Sequence, residues 1–184
     1  GDGTPTGCAE GAGRGRWRSV RRRRFAVIAG GGTGGHVLVA LSVARALVRA
    51  GHPPEAIGII GSSRGQESVL LVGTGFPLLL LPGRGIVRRP RATEVPADLA
   101  AVLGLGVATA RAVLELFRTR PAVVVSVGGY ASFPAALGAV LLRIPLVLVN
   151  IDAIPGSVHR LLGRFAVASA VAFSDTPLPH SHLT

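Results

Sequence analysis

The stretch FAVIAGGGTGGHV, residues 25–37, decides how this chain folds. Its first five residues, Phe25 to Ala29, form a continuous apolar run that stops at glycine, the pattern of a short strand buried on both faces of a parallel sheet. The glycines that follow let the backbone turn tightly and come close to a ligand. Beyond them VLVALSVARALVRAG (37–51) has helical length and spacing and closes on Gly51. A strand, a glycine loop and a helix in that order leave free amides at the helix start, which favour a phosphate or diphosphate.

Outward from this unit the same alternation repeats. IGII (57–60) reads as a second strand ending in the turn GSSRG, QESVLLVGTG (66–75) as a short helix, and FPLLLLP (76–82) as a third strand. A basic stretch, GRGIVRRPRATEVP (83–96), leads to a long amphipathic helix from about Asp98 to Thr119, and Pro121 marks the break after it. AVVVSVGG (122–129) is a strand running into a second glycine turn, ASFPAALGAVLLR (131–143) a helix, and IPLVLVN (144–150) a strand. PGSVHRLLGRFA (155–166) is a further helix and AVAF (170–173) a last short strand. This order predicts an α/β fold, a Rossmann-like doubly wound parallel sheet over residues 25–184 with ligands at the carboxyl ends of its strands.

The first loop also satisfies GxGxxG through Gly30, Gly32 and Gly35, so a dinucleotide enzyme competes with a phosphate site and with plain strand-to-helix architecture. An NAD site wants an acid at the end of the second strand, but Glu55 precedes IGII; an NADP site has Ser62, Ser63 and Arg64 for a 2′-phosphate. A P-loop is excluded, because the chain has no lysine. The second turn, Ser126-Val127-Gly128-Gly129-Tyr130-Ala131-Ser132, repeats the device at a later strand, so that both turns face a common crevice. Asp152-Ala153-Ile154-Pro155-Gly156 then opens another helix, with Asp152 placed as a cap or a ligand contact.

At 184 residues and 48% apolar composition, one core is expected. Cys8 is the only cysteine and no Cys/His cluster suggests a metal, so neither a disulfide, a metal nor a cofactor is expected. Residues 1–24 read as a disordered Gly/Arg-rich leader holding seven of the twenty arginines; outside it thirteen arginines face seven acids, a net +6. RRRR before FAVIA resembles a signal peptide only briefly, since five apolar residues are too few, and no stretch reaches membrane-span length without interruption. A basic domain suits nucleic acid, an anionic membrane or a phosphorylated substrate. Trp17 alone interleaves the leader arginines, which argues against nucleic acid.

Taken together the motifs resemble the MurG family of bacterial glycosyltransferases. GGGTGGHV (30–37) is similar to its first glycine loop, GSSRGQE (61–67) to its Gly-Thr-x-x-Gly-x-Glu turn, VVSVGGYASFPA (124–135) to its second glycine loop, and DAIPGSVHRLLGRFA (152–166) to the segment after its His-Glu-Gln-Asn signature. The resemblance implies the N-terminal half of a GT-B glycosyltransferase that adds N-acetylglucosamine to a lipid-linked muramoyl-pentapeptide in peptidoglycan synthesis. It implies work at the cytoplasmic face of the bacterial membrane as a peripheral protein. A second Rossmann-like domain, which holds most of UDP-N-acetylglucosamine in that family, lies outside these 184 residues; on this reading the chain is inactive without a donor-binding partner.

By the same resemblance His36 faces the substrates, as the catalytic base or as a binder of the sugar, while Thr33, Gly34, Gly35, Gly128, Gly129, Tyr130 and Asp152 bind substrate. Glu67 reads as a charge in a helix first turn. The apolar run from Leu78 followed by Arg84, Arg88, Arg89 and Arg91 reads either as a membrane lip meeting anionic headgroups or as a strand and a solvated loop. Two departures stand out: Val149-Asn150-Ile151-Asp152 replaces the family's His-Glu-Gln-Asn, and His159 stands where the family has a later asparagine. Two other functions remain open, an NADP-binding oxidoreductase domain and a non-catalytic subunit that recruits a separate donor-binding chain to the membrane.

Overall fold

Strand β1 (Ala26–Gly30) lies in the interior of the sheet, with Ala26 paired to Ile57 of β2 (Ile57–Ser62) on one side and to Val123 of β4 (Val123–Gly128) on the other. The computed structural model describes residues 23–31, 34–63, 70–71, 73–82 and 95–184, with side chains from 102 onward in the long helix. Beyond β2 lies β3 (Leu78–Leu81); beyond β4 come β5 (Leu146–Asn150), β6 (Ala168–Val171) and β7 (Ser181–Leu183). The order across the sheet is β3-β2-β1-β4-β5-β6-β7, and every neighbouring pair is parallel. Chain direction across the sheet reverses between β1 and β4, which opens a crevice at their carboxyl ends.

Helices on both faces explain the unbroken apolar strands. Ala26 to Ala29 have no exposed surface, and successive side chains of β1 point to opposite layers. Ile28 joins Val37, Ala40, Leu41 and Ala44 of α1 (Gly34–Arg49). Val27 and Ala29 join Ala108, Ala112 and Leu116 of α2 (Val95–Thr119) and Ala135, Ala136 and Ala139 of α3 (Phe133–Leu141). Small residues let α2 and α3 pack closely: a Cβ at Gly138 would stand 3.1 Å from Leu116 Cδ1. Helix α4 (Ser157–Leu162) continues the α3 side, contributing Leu162 to that core.

Several sequence-based boundaries shift; the expected helix at 155–166, for one, is helical only over Ser157–Leu162 before a 3-10 turn at Gly163–Phe165. Helix α2 starts at Val95 rather than Asp98, because Pro96 is tolerated in a first turn where its missing N–H has no partner to lose. Helix α3 follows a 3-10 turn (Tyr130–Ser132) and stops at Leu141; Arg143 then takes φ 55° to turn the chain into β5. The last expected strand lies at Ala168–Val171, two residues early, because Val147 and Asn150 pair with Ala168 and Val171. Strand β7 was not expected at all: it has three exposed residues and no apolar run.

Of the expected helix at 66–75, residues 66–69 and 72 lie outside the described residues, and 73–75 form a turn and bends. The leader through residue 22 and the basic stretch 83–94 also lie outside them. Among the described residues no helix is long and apolar enough to cross a membrane.

Candidate functional site

Two glycine turns meet at the β1/β4 crevice. The first leaves β1 through Gly30 and Gly31, and its far side is Gly34, Gly35 and His36, the opening turn of α1, a helix of 16 residues with no acid in its first turn. Amides at such a helix start carry partial positive charge, and no acid of the first turn offsets it. Thr33 and Gly32 lie outside the described residues.

The second turn is built around two left-handed glycines, Gly128 at φ 94° and Gly129 at φ 77°. Both a side chain's φ preference and space demand glycine here: a Cβ at 129 would overlap the Gly31 carbonyl oxygen. A Cβ at 128 would stand 3.1 Å from both Cδ2 and Nε2 of His36 and 3.4 Å from Cε1 of His159. The crevice floor is thus backbone, with both histidine rings close to the space that a Gly128 side chain would take.

Tyr130 opens the 3-10 turn after the second loop, and its hydroxyl donates to Ser62 Oγ at 3.2 Å, tying this loop to the end of β2. Tyr130 and Ser62 also border a small open cleft whose other walls include Leu81, Leu105, Ala108 and Pro134. Ser62 is buried and already engaged with Tyr130, and Glu55 lies in a 3-10 turn ahead of β2, at the opposite end of the strand from the crevice. Among the described residues no acid stands at the carboxyl end of β2 for a dinucleotide ribose, where the strand closes on Gly61 and Ser62.

Asp152 is exposed and does not cap the helix after it; the cap position belongs to Gly156, so that half of its expected role is overturned. The intervening Pro155 and Gly156 carry the chain four residues past Asp152 before helical geometry begins. Instead the Asp152 backbone carbonyl accepts a hydrogen bond from Asn150 Nδ2.

His159 is the part of the site that sequence reasoning missed beyond noting its identity. It is 2% exposed, with Nε2 3.2 Å from Ser126 Oγ and Nδ1 3.2 Å from Asn150 Oδ1. Burial pushes its pKa down to about 4; a hydrogen bond with the Ser126 backbone works against this, the nearby His36 adds to it, and the Asp152 carboxylate opposes it. The imidazole is therefore neutral at physiological pH. Glu67, Arg64, Arg84, Arg88, Arg89 and Arg91 lie outside the described residues. Among the described residues no group of three His, Cys, Asp or Glu side chains converges as a metal site would require.

Residues 26–171 match the glycosyltransferase family 28 N-terminal domain. The chain belongs to this family. Among its relatives is a UDP-N-acetylglucosamine--N-acetylmuramyl-(pentapeptide) pyrophosphoryl-undecaprenol N-acetylglucosamine transferase of Desulforudis audaxviator, 40% identical over 150 residues, which are 81% of this chain and 39% of the relative. The enzyme of the same name from Nocardioides sp. is 42% identical over 154 residues, covering 83% of this chain and 40% of the relative. The crystal structure of Acinetobacter baumannii MurG superposes with a TM-score of 0.72 at 27% identity, over 88% of this chain and 45% of that one.

This family 28 domain thus spans about two fifths of the length of the curated relatives it matches. The matched region runs from the first strand through the last residue of β6, and so takes in both glycine turns, His36, Tyr130, Asp152 and His159. The seven parallel strands among the described residues and their flanking helices are the doubly wound α/β architecture of the N-terminal half of a GT-B glycosyltransferase.

Proposed function

We propose that this domain is the acceptor-binding half of an inverting hexosaminyltransferase that moves N-acetylglucosamine from UDP-N-acetylglucosamine to a lipid-linked muramoyl-pentapeptide. The observation that carries the reading is the contact of two glycine turns at the strand-order reversal, with the His36 ring against Gly128. The names of the relatives supply the donor and the acceptor.

On this reading the amides of Gly34, Gly35 and the Gly128–Gly129 turn hold the acceptor diphosphate, together with Thr33. His36 takes the proton from the acceptor sugar hydroxyl as its oxygen bonds to the donor's anomeric carbon, and the bond to UDP breaks on the opposite face. Tyr130 and Asp152 contact the sugar or the diphosphate from the rim. Most of the rate comes from orientation and from backbone charge aimed at the diphosphate. The acceptor is anchored in a bilayer, so the enzyme works at the cytoplasmic membrane surface, and the arginines at 84, 88, 89 and 91 suit anionic headgroups.

The test is transfer of radiolabelled N-acetylglucosamine from its UDP donor to a short-chain lipid-linked muramoyl-pentapeptide, with the domain alone and fused to the donor-binding half of the Desulforudis relative. Transfer by the fusion that His36→Ala abolishes supports the reading. A folded fusion that binds the acceptor without transferring leaves the non-catalytic recruiting subunit instead. Thermal stabilisation by NADP, with none by a polyprenyl diphosphate, turns the reading toward the oxidoreductase.

A further inference from the structure

Behind the second glycine turn three polar side chains are buried together on the α3/α4 side of the sheet. Ser126 of β4 is 0% exposed, Asn150 at the end of β5 is 3% exposed, and His159 of α4 is 2% exposed. Such a group is costly to bury unless each donor meets an acceptor. Here each of the three side chains has a hydrogen-bond partner, and the direction of every bond follows from one commitment.

Asn150 Nδ2 donates to the Asp152 carbonyl, so the amide oxygen is the atom turned to His159. An amide oxygen only accepts, so His159 Nδ1 carries the hydrogen. Nε2 is left with its lone pair and receives the Ser126 hydroxyl hydrogen. Ser126, His159, Asn150 and the Asp152 carbonyl form a one-way chain of donors.

The same order of contacts activates the nucleophile of a serine hydrolase. It does not do so here, because Ser126 has no exposed surface in the interior of a parallel strand and no substrate carbonyl reaches it. The chain of hydrogen bonds serves the residue it ends against. His159 Cε1 lies 3.4 Å from the point where a Cβ of Gly128 would stand, and the His36 ring lies 3.1 Å from that same point on the α1 side.

We propose that His159 is a positioning residue: held in a single tautomer by Asn150 and Ser126, its ring braces the Gly128–Gly129 turn and thereby fixes the surface against which His36 is set. A glycine pair has no side chains of its own to lock its backbone, so the bracing comes from a neighbouring element. The catalytic consequence rests on the proposed role of His36; the bracing itself does not.

Nitrogen-15 imidazole NMR of the folded chain tests the bracing without any activity. His159 is expected as the neutral Nδ1–H tautomer at pH 6, and Ser126→Ala, which removes only a hydroxyl, is expected to shift the ring nitrogens of both His159 and His36 while leaving His52 and His182 in place. An Nε2–H tautomer at His159, or a His36 signal that ignores Ser126→Ala, overturns the proposal. In the donor-half fusion His159→Gln is expected to lower kcat by about 10²-fold with the acceptor KM little changed. An unchanged kcat overturns the catalytic consequence. If His159→Gln loses the dispersed spectrum of a folded domain, Ser126→Ala carries the same kinetic test. Transfer that survives His36→Ala refutes the proposed base and leaves the NMR result to decide the bracing.

Discussion

Gly129 and Gly31 meet backbone to backbone, so tightly that a methyl group on Gly129 would overlap the Gly31 carbonyl oxygen. One belongs to the loop after β4 and the other to the loop after β1, and their contact makes two separate turns into one crevice floor.

Gly129→Ala is therefore expected to cost stability twice, through a left-handed φ of 77° and through the displaced carbonyl. A loss of about 2 kcal/mol or more is expected, read from urea unfolding followed by circular dichroism. Gly35→Ala is the control, because a Cβ there meets nothing within 4 Å. Equal effects of the two substitutions would contradict the contact.

The domain should lose stability on acidification between pH 6.5 and 4. His159 has a folded pKa of about 4 against an ordinary 6.5, so in this window the unfolded chain binds a proton that the folded chain refuses. Stability then falls as the pH drops through the window and levels off below it, with a ceiling of about 3 kcal/mol from this one group. Urea midpoints measured from pH 7 to pH 4 check this, and the slope should flatten in His159→Gln.

Tyr130→Phe removes the hydroxyl that donates to Ser62 Oγ. The tyrosine is 37% exposed, so water can replace part of what is lost and a cost of about 0.5–1 kcal/mol is expected. The loop after β4 should also exchange its amide hydrogens faster relative to β1, which hydrogen exchange by mass spectrometry would register.

Leu116→Ala empties a fully buried position where α2 packs on α3 and the sheet. A loss of about 2–5 kcal/mol is expected. Leu114, 46% exposed on the same helix, should tolerate alanine within about 0.5 kcal/mol. Thermal melts of the two variants side by side test whether α2 presents the face described.

The strands and glycine turns were legible because their signals are local. An apolar run stopping at Gly30, or at Gly128, states its own burial and its own turn within a few residues. Helix α1 is bounded equally locally, by the loop before it and Gly51 after it. Asp152 shows the limit of such reading: an acid ahead of a helix looks like a cap, yet Gly156 takes that place because Pro155 delays the helical start. Strand β7 escaped because an edge strand with exposed residues needs no apolar pattern; its pairing with β6 defines it.

By itself the sequence determined the alternation of strand and helix, the two glycine loops, and the presence of His36 beside the first of them, because each depends on neighbours a few residues away. The tertiary structure alone decided that Gly31 touches Gly129, that Tyr130 reaches Ser62 across a separation of 68 residues, and that Ser126, 33 residues from His159, shares a buried hydrogen bond with it. Those pairings arise from strand order. β4 crosses over to lie beside β1, and only that placement brings loops distant in sequence to one end of the sheet, where burial then makes a hydroxyl, an imidazole and an amide find one another.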